Sequence, residues 1–420
     1  MNNTKINFSI LALLISISWF VISFIFGEDS LGGALHDFRY HEKYFYNFSD
    51  NFSQTINEYG RNSEVRNSPV FYILFSKLYS LGITIDNLKY FNFLIIFPIL
   101  FFFNKCLDLR FKNIEKNTKF FLNSCIFLSP TIRSLINYPY PFIWALCFFL
   151  ISVYFFLKFR KQKEFKKKNA FWCIFNLSIA SYFTPNFAVF IIFFFFHFYL
   201  DLKNFKNYFY IIISSFFLSL PALIFLTWKD FYIFKNNVFE VSLNEKINFS
   251  NKIIVISSFI IFFFIPYVKK INLSLSEVKE KIRNINFVVL VFLIIFCIIN
   301  FDFKYGAGGG FFYKLSILIF KNHVLLFLIF IFSIFYFYFN NLFNINNIII
   351  FIILIIYNLQ YSIYYKYFDP LLFLIFLLLI KIPKNQSLKL NNISKKYFLF
   401  YFLFLLMNIF KSSFMKNLII

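Results

Sequence analysis

Residues 27–46, GEDSLGGALHDFRYHEKYFY, gather Glu28, Asp29, His36, Asp37, Arg39, His41, Glu42 and Lys43 in a chain otherwise dominated by Phe, Ile, Leu, Asn and Lys. Carboxylates and imidazoles this close together can move a proton, and cations beside them can hold an anion. If the stretch from Asp37 onward is helical, Asp37 and His41 stand four residues apart on one face. Asp37 is then the candidate base, with His41 placed to orient it or to share its proton. Pairing of Asp37 with Arg39, Lys43 or His41 on a solvated helix is the competing explanation. Glu28 and Asp29 are the secondary acidic candidates; they can serve chemistry, cap the turn that follows, or hold a metal. Phe38, Tyr44, Phe45 and Phe48 are expected to rest on the lipid boundary.

The elements that must position these groups are apolar. Just upstream, residues 6–26 form an uncharged run of the length that crosses a bilayer. The chain has 420 residues, 60% of them hydrophobic and 75 of them phenylalanine, far beyond a soluble domain. It reads as an all-α polytopic membrane protein, a single membrane domain over residues 1–420. Its first outer loop is residues 27–89 and a later one is residues 301–323. The first span has no small-residue cleavage site behind it and is expected to stay as an anchor.

The net charge of +23 sits in loops beside apolar runs, the positive-inside pattern and not a nucleic-acid footprint. The five cysteines lie in or beside apolar runs without a CxxC pair, which argues against metal or disulfide work. The loops 106–119 and 158–168, the latter with seven basic residues, are taken as cytoplasmic. That parity makes residues 70–81, an apolar piece short for a span, interfacial or re-entrant. Further spans are expected at 90–104, 120–132, 140–157, 170–183, 186–200, 208–228, 253–268, 287–300, 324–339, 348–364, 371–380 and 397–410, giving a bundle of about 11–13 crossings.

Several short motifs add to this layout: an outer loop with an acid after span one, Asn67-Ser68-Pro69-Val70-Phe71-Tyr72, Leu128-Ser129-Pro130 with Arg133 before a new span, Thr184-Pro185-Asn186 and Tyr367-Phe368-Asp369-Pro370. Together they resemble the GT-C integral membrane glycosyltransferases, dolichyl-phosphate-mannose and aminoarabinose transferase-like members in particular. The resemblance implies a polyprenyl-phosphate-linked sugar as donor and a lipid or glycan acceptor. It also implies an inverting mechanism and an Asp in the first outer loop acting on the acceptor, here Asp37. Phe38 stands where an Asp-Glu-x-x-His motif of some members has Glu. A bacterial inner membrane with the active site on the periplasmic side follows from the same resemblance.

For the donor phosphate, Arg133 is the leading cation because it is expected at a span's outer end with few acids around it, joined by Arg39 and Lys314. The glycines from Gly306 to Gly310 are either a backbone cradle for phosphate or a hinge. No cofactor or structural metal is assigned, and a divalent ion bridging Asp37 or Asp29 to the phosphate is left open. Two other classes compete. A lipid-linked glycan flippase should carry ionisable residues inside its spans, and a glycan polymerase or ligase should carry a large late outer loop.

Overall fold

The computed structural model describes residues 7–60, 67–162, 164–202, 204–232, 248–268, 275–304, 308–358, 360, 362–382 and 390–419. The architecture is all-α, as the composition demands, and no strand occurs among the described residues. Contacts cluster into two compact units, residues 1–236 with 389–420, and residues 237–388.

The first unit begins with α1 (Phe8–Phe26), followed by α2 (Ala34–Asp50), α3 (Phe52–Glu58), α4 (Val70–Ser80), α5 (Ile85–Leu94), α6 (Ile96–Arg110), α7 (Lys116–Leu128) and α8 (Pro130–Asn137). It continues with α9 (Pro141–Lys161), α10 (Lys166–Phe183), α11 (Ile191–Asp201) and α12 (Phe205–Trp228). The second unit holds α13 (Phe249–Phe264), α14 (Leu275–Arg283), α15 (Ile285–Ile299), α16 (Gly310–Phe320), α17 (Val324–Phe339), α18 (Ile345–Ile356) and α19 (Leu371–Leu378). The C-terminal helix α20 (Leu390–Ile419) returns to the first unit.

Among the described residues six helical stretches, α5–α6 counted as one, are long and apolar enough to cross a membrane, and a seventh if the pair α14–α15, bent by 69°, counts as one span. That establishes a multi-pass membrane protein, with fewer full-length crossings than the apolar runs suggested. The physical reasons are local. The run 120–132 breaks at Ser129, whose hydroxyl accepts from the Ile132 amide to cap α8, with Pro130 as its first residue. The run 348–364 stops as a helix at Ile356, and α19 has eight residues, about 12 Å of rise against the roughly 30 Å of a bilayer core.

The first unit has two chemically distinct ends. At one, the Lys161 ammonium reaches the Asp108 carbonyl (3.3 Å) and Lys119 pairs with Asp108 (2.5 Å). Arg160 pairs there with Asp201 (2.7 Å), and Asn391 reaches Glu115 (3.1 Å). These contacts bring the end of α6, the start of α7, the α9–α10 hairpin, the end of α11 and the start of α20 together, as the loop-charge argument requires. At the other end, α1 meets α8. There α4 is an 11-residue helix, about 16 Å long, so it is too short to cross. It packs on α2 through Phe71, Tyr72 and Phe75.

That packing corrects the expectation that Phe45 and Phe48 rest on lipid. Both are buried, Phe45 stacked on Phe75 (5.4 Å, 23°) and Phe48 against Tyr59 (5.7 Å), so α2 turns its aromatic face to α4.

In the second unit the glycine run serves packing. The Gly309 amide donates to the Ile363 carbonyl (3.0 Å), and a Cβ on Gly310 (φ +75°) would lie 1.9 Å from the Phe259 ring. Close approach of backbone explains Gly308, Gly309 and Gly310, whereas Gly306 lies outside the described residues.

Candidate functional site

Gly27 ends α1 in the left-handed conformation (φ +62°), and the Glu28 amide donates back to the Ser23 carbonyl (3.0 Å). This is how a helix stops sharply on glycine. The reversed chain then lies on α8, all eight of whose residues are buried. Three side chains of α8 and the residue after it hold the loop. The Leu31 amide donates to Ser134 Oγ (2.9 Å), Asn137 Nδ2 donates to the Glu28 carbonyl (2.8 Å), and Tyr138 Oη donates to the Gly27 carbonyl (2.7 Å). On the other side of α8, Asn92 of α5 donates to the Leu135 and Ile136 carbonyls (2.6 and 2.9 Å) while accepting from Trp144 (3.0 Å).

Within this frame Arg133 is 2% exposed and forms an ion pair with Glu28 through Nη2. Its Nε and Nη1 are buried without a hydrogen-bond partner among the described residues, and so is Oε1 of Glu28. Arg133 therefore is not a cation with few acids around it. It belongs to a short buried helix, because Pro130 opens a new element, and it has an acid directly upon it. A buried pair with two donor nitrogens and one acceptor oxygen unfilled is costly unless a further group enters.

Asp29 serves the loop itself. Its carboxylate accepts from the amides of Gly32 (3.0 Å), Gly33 (2.9 Å) and Leu35 (3.2 Å), capping the turn into α2. Burial, and after it the charge of Asp29, holds the Tyr138 phenol above its ordinary pKa of 10.0.

Asp37 and His41 do share a face of α2, one turn apart. Asp37 lies in the first turn, half-buried, where a carboxylate also favours the helix dipole. His41 is buried, and its Nδ1 bonds to Tyr72 Oη (2.7 Å) of α4. Tyr72 Oη also accepts from Asn67 Nδ2 (3.3 Å), and the Asn67 carbonyl accepts from Tyr59 (3.0 Å) and Tyr232 (2.8 Å). Tyr59 is pushed well above the ordinary phenol pKa by burial first and by Tyr72 second, so it stays a neutral donor. His41 is thus tied into a phenol network that nothing in its spacing announced.

Of the remaining candidates, Arg39 is exposed on α2, and Lys314 lies on α16 in the second unit. Arg61 and Arg66, two other outer-loop cations, lie outside the described residues. Among the described residues no three His, Cys, Asp or Glu side chains come together as a metal-ligand set.

Sequence reasoning missed Asn137 and Tyr138, and it singled out Asn67 and Tyr72 as part of a motif without giving either a role. Asn137 had a signal, since it follows Arg133 by four residues on a helix. It also missed Lys252. This residue is 2% exposed in the first turn of α13, its ammonium bonded to the carbonyls of Asn358 and, at 2.9 Å, Gln360. A span begun at residue 253 excludes it by one position; the Asn248 cap starts the helix earlier, at Phe249.

No protein-family model, no curated protein and no solved structure matches this chain.

Proposed function

We propose that the chain is an inverting membrane glycosyltransferase, moving a sugar from a polyprenyl phosphate to a hydroxyl of a lipid or glycan acceptor. The observation that carries the reading is Arg133: a wholly buried guanidinium, anchored by Glu28, with two nitrogens still lacking an acceptor. Phosphate oxygens are the natural partners of a preset guanidinium fork, and a carrier lipid delivers them at the end of a span.

In this scheme the acceptor hydroxyl gives its proton to the Asp37 carboxylate as its oxygen attacks the anomeric carbon. The bond from that carbon to the phosphate oxygen breaks with inversion, and the polyprenyl phosphate departs carrying the electron pair, its charge held by Arg133. His41, fixed by Tyr72, positions the base. Asp29 keeps the loop folded and takes no part in the transfer. Arg39, exposed on the same helix, is the group to which this scheme assigns the first contact with the phosphate of an arriving lipid.

The test is transfer of labelled sugar from a synthetic polyprenyl-phosphate donor by purified protein in liposomes. Asp37→Asn should lower the rate by roughly 10²–10⁴-fold without changing the unfolding midpoint. Full activity in that variant removes Asp37 from the mechanism.

A flippase for lipid-linked glycans is the second reading; Lys252, buried in the first turn of a span, is the ionisable group it would have to use, and here that ammonium is engaged by two backbone carbonyls. Release of free polyprenyl phosphate during the assay separates the two, since only transfer produces it.

A further inference from the structure

At the basic end of the first unit a cleft of about 390 Å³ opens between Phe165, Lys167, Lys168, Phe171 and Tyr210. Most of the surrounding charge is already occupied. Arg160 pairs with Asp201 (2.7 Å), Lys166 donates to the Asp201 carbonyl (3.4 Å), Lys161 donates to the Asp108 carbonyl (3.3 Å), and Lys158 lies over the Tyr154 ring (5.0 Å). Lys167 and Lys168 are exposed, and the contact Lys167 does make is with the face of Tyr210, 3.8 Å from the ring centroid. No carboxylate lies in the first turn of α10, and the exposed Glu164 just before it leaves the neighbouring lysines in excess.

The wall beyond the two lysines is apolar and exposed. Helix α12 passes the length and composition criterion for a span with only 6% of its apolar stretch buried. One and two turns beyond Tyr210, the side chains of Ile213 and Phe217 are exposed. Two ammonium groups at the mouth of a cleft whose floor is aromatic, continuing into an exposed apolar stripe, match a molecule with an anionic head and a hydrocarbon tail.

We propose that this cleft binds one anionic glycerophospholipid, its phosphate between Lys167 and Lys168 and an acyl chain along Ile213 and Phe217. Tyr210 holds Lys167 in place beneath the headgroup. The occupant is a bilayer lipid and not a free anion, because the apolar stripe offers nothing to inorganic phosphate.

The experiment is native mass spectrometry of the full-length chain, delipidated in detergent and titrated with phosphatidylglycerol or phosphatidylcholine. The wild type should retain one phosphatidylglycerol in preference to phosphatidylcholine. The K167Q/K168Q variant should lose that preference, weakening retention by roughly tenfold or more, since each surface lysine contributes about 1 kcal/mol towards an anionic lipid. The variant K395Q/K396Q removes two exposed lysines elsewhere on the chain and should behave as wild type. Equal retention by K167Q/K168Q, equal loss in K395Q/K396Q, or displacement of the lipid by millimolar inorganic phosphate would each overturn the assignment. All the altered side chains are exposed, so helical content by circular dichroism should be unchanged in every variant.

Discussion

Both units bury a cation, Arg133 in the first and Lys252 in the second, and each is 2% exposed. Their surroundings differ. Arg133 faces a carboxylate and keeps two nitrogens unfilled, whereas the ammonium of Lys252 bonds to the backbone carbonyls of Asn358 and Gln360, beyond the end of α18. Glu28 engages one nitrogen of the guanidinium, so the first arrangement leaves donors that an incoming phosphate can fill. An ammonium over two carbonyls is a fastening. It satisfies two carbonyls that would otherwise lie buried and unpaired. The contrast separates a buried charge that invites a ligand from one that holds a fold.

The largest expected effect follows from breaking the charged pair. Glu28→Gln leaves Arg133 buried without its counter-ion and should destabilise the protein by about 3 kcal/mol, the lower end of the range for such pairs because Glu28 retains 23% exposure. Chemical unfolding in detergent measures it. The double variant Glu28→Gln, Arg133→Met should recover part of the loss, because no charge is then left alone.

Lys252→Met should cost less, about 1–2 kcal/mol, since it removes the charge together with its desolvation and leaves two carbonyls unpaired. The same unfolding measurement applies. A loss equal to that of Glu28→Gln would break the contrast, and would mean that Lys252 has an anionic partner after all.

The smallest effect concerns pH. Burial lowers the pKa of His323 below its ordinary 6.5, where its ring stacks on Tyr313 (5.5 Å, 18°) just before α17. The folded state thus prefers the neutral imidazole. Stability from this group is present above about pH 6.5 and declines as the pH falls from there towards the lowered folded value. The unfolding midpoint should drop slightly between about pH 7.5 and 5.5, and His323→Gln should flatten that drop.

The helical class, the basic end and the acidic loop were legible because they depend on composition and on charge beside apolar runs. Asp37 and His41 on one helical face followed from spacing alone, and the capping role of Asp29 was among the options its position allowed. Other features needed tertiary contacts. Nothing local says that Glu28 reaches Arg133 across 105 residues, that Tyr72 takes His41, or that Phe45 faces α4 instead of lipid. The break at Ser129–Pro130 was visible as a cap followed by proline, yet hydropathy carried the run through it. Hydropathy also hid the short α19, because a wholly buried helix and a lipid-facing one have the same composition.

The most direct measurement of the central claim is thermal unfolding of the detergent-solubilised protein with and without a polyprenyl phosphate, in wild type and in Arg133→Gln. If the unfilled guanidinium edge receives the carrier phosphate, the wild-type midpoint rises with lipid-phosphate concentration, while Arg133→Gln shows no concentration dependence. A wild type indifferent to the lipid phosphate, or a variant shifted as much as the wild type, would contradict the account.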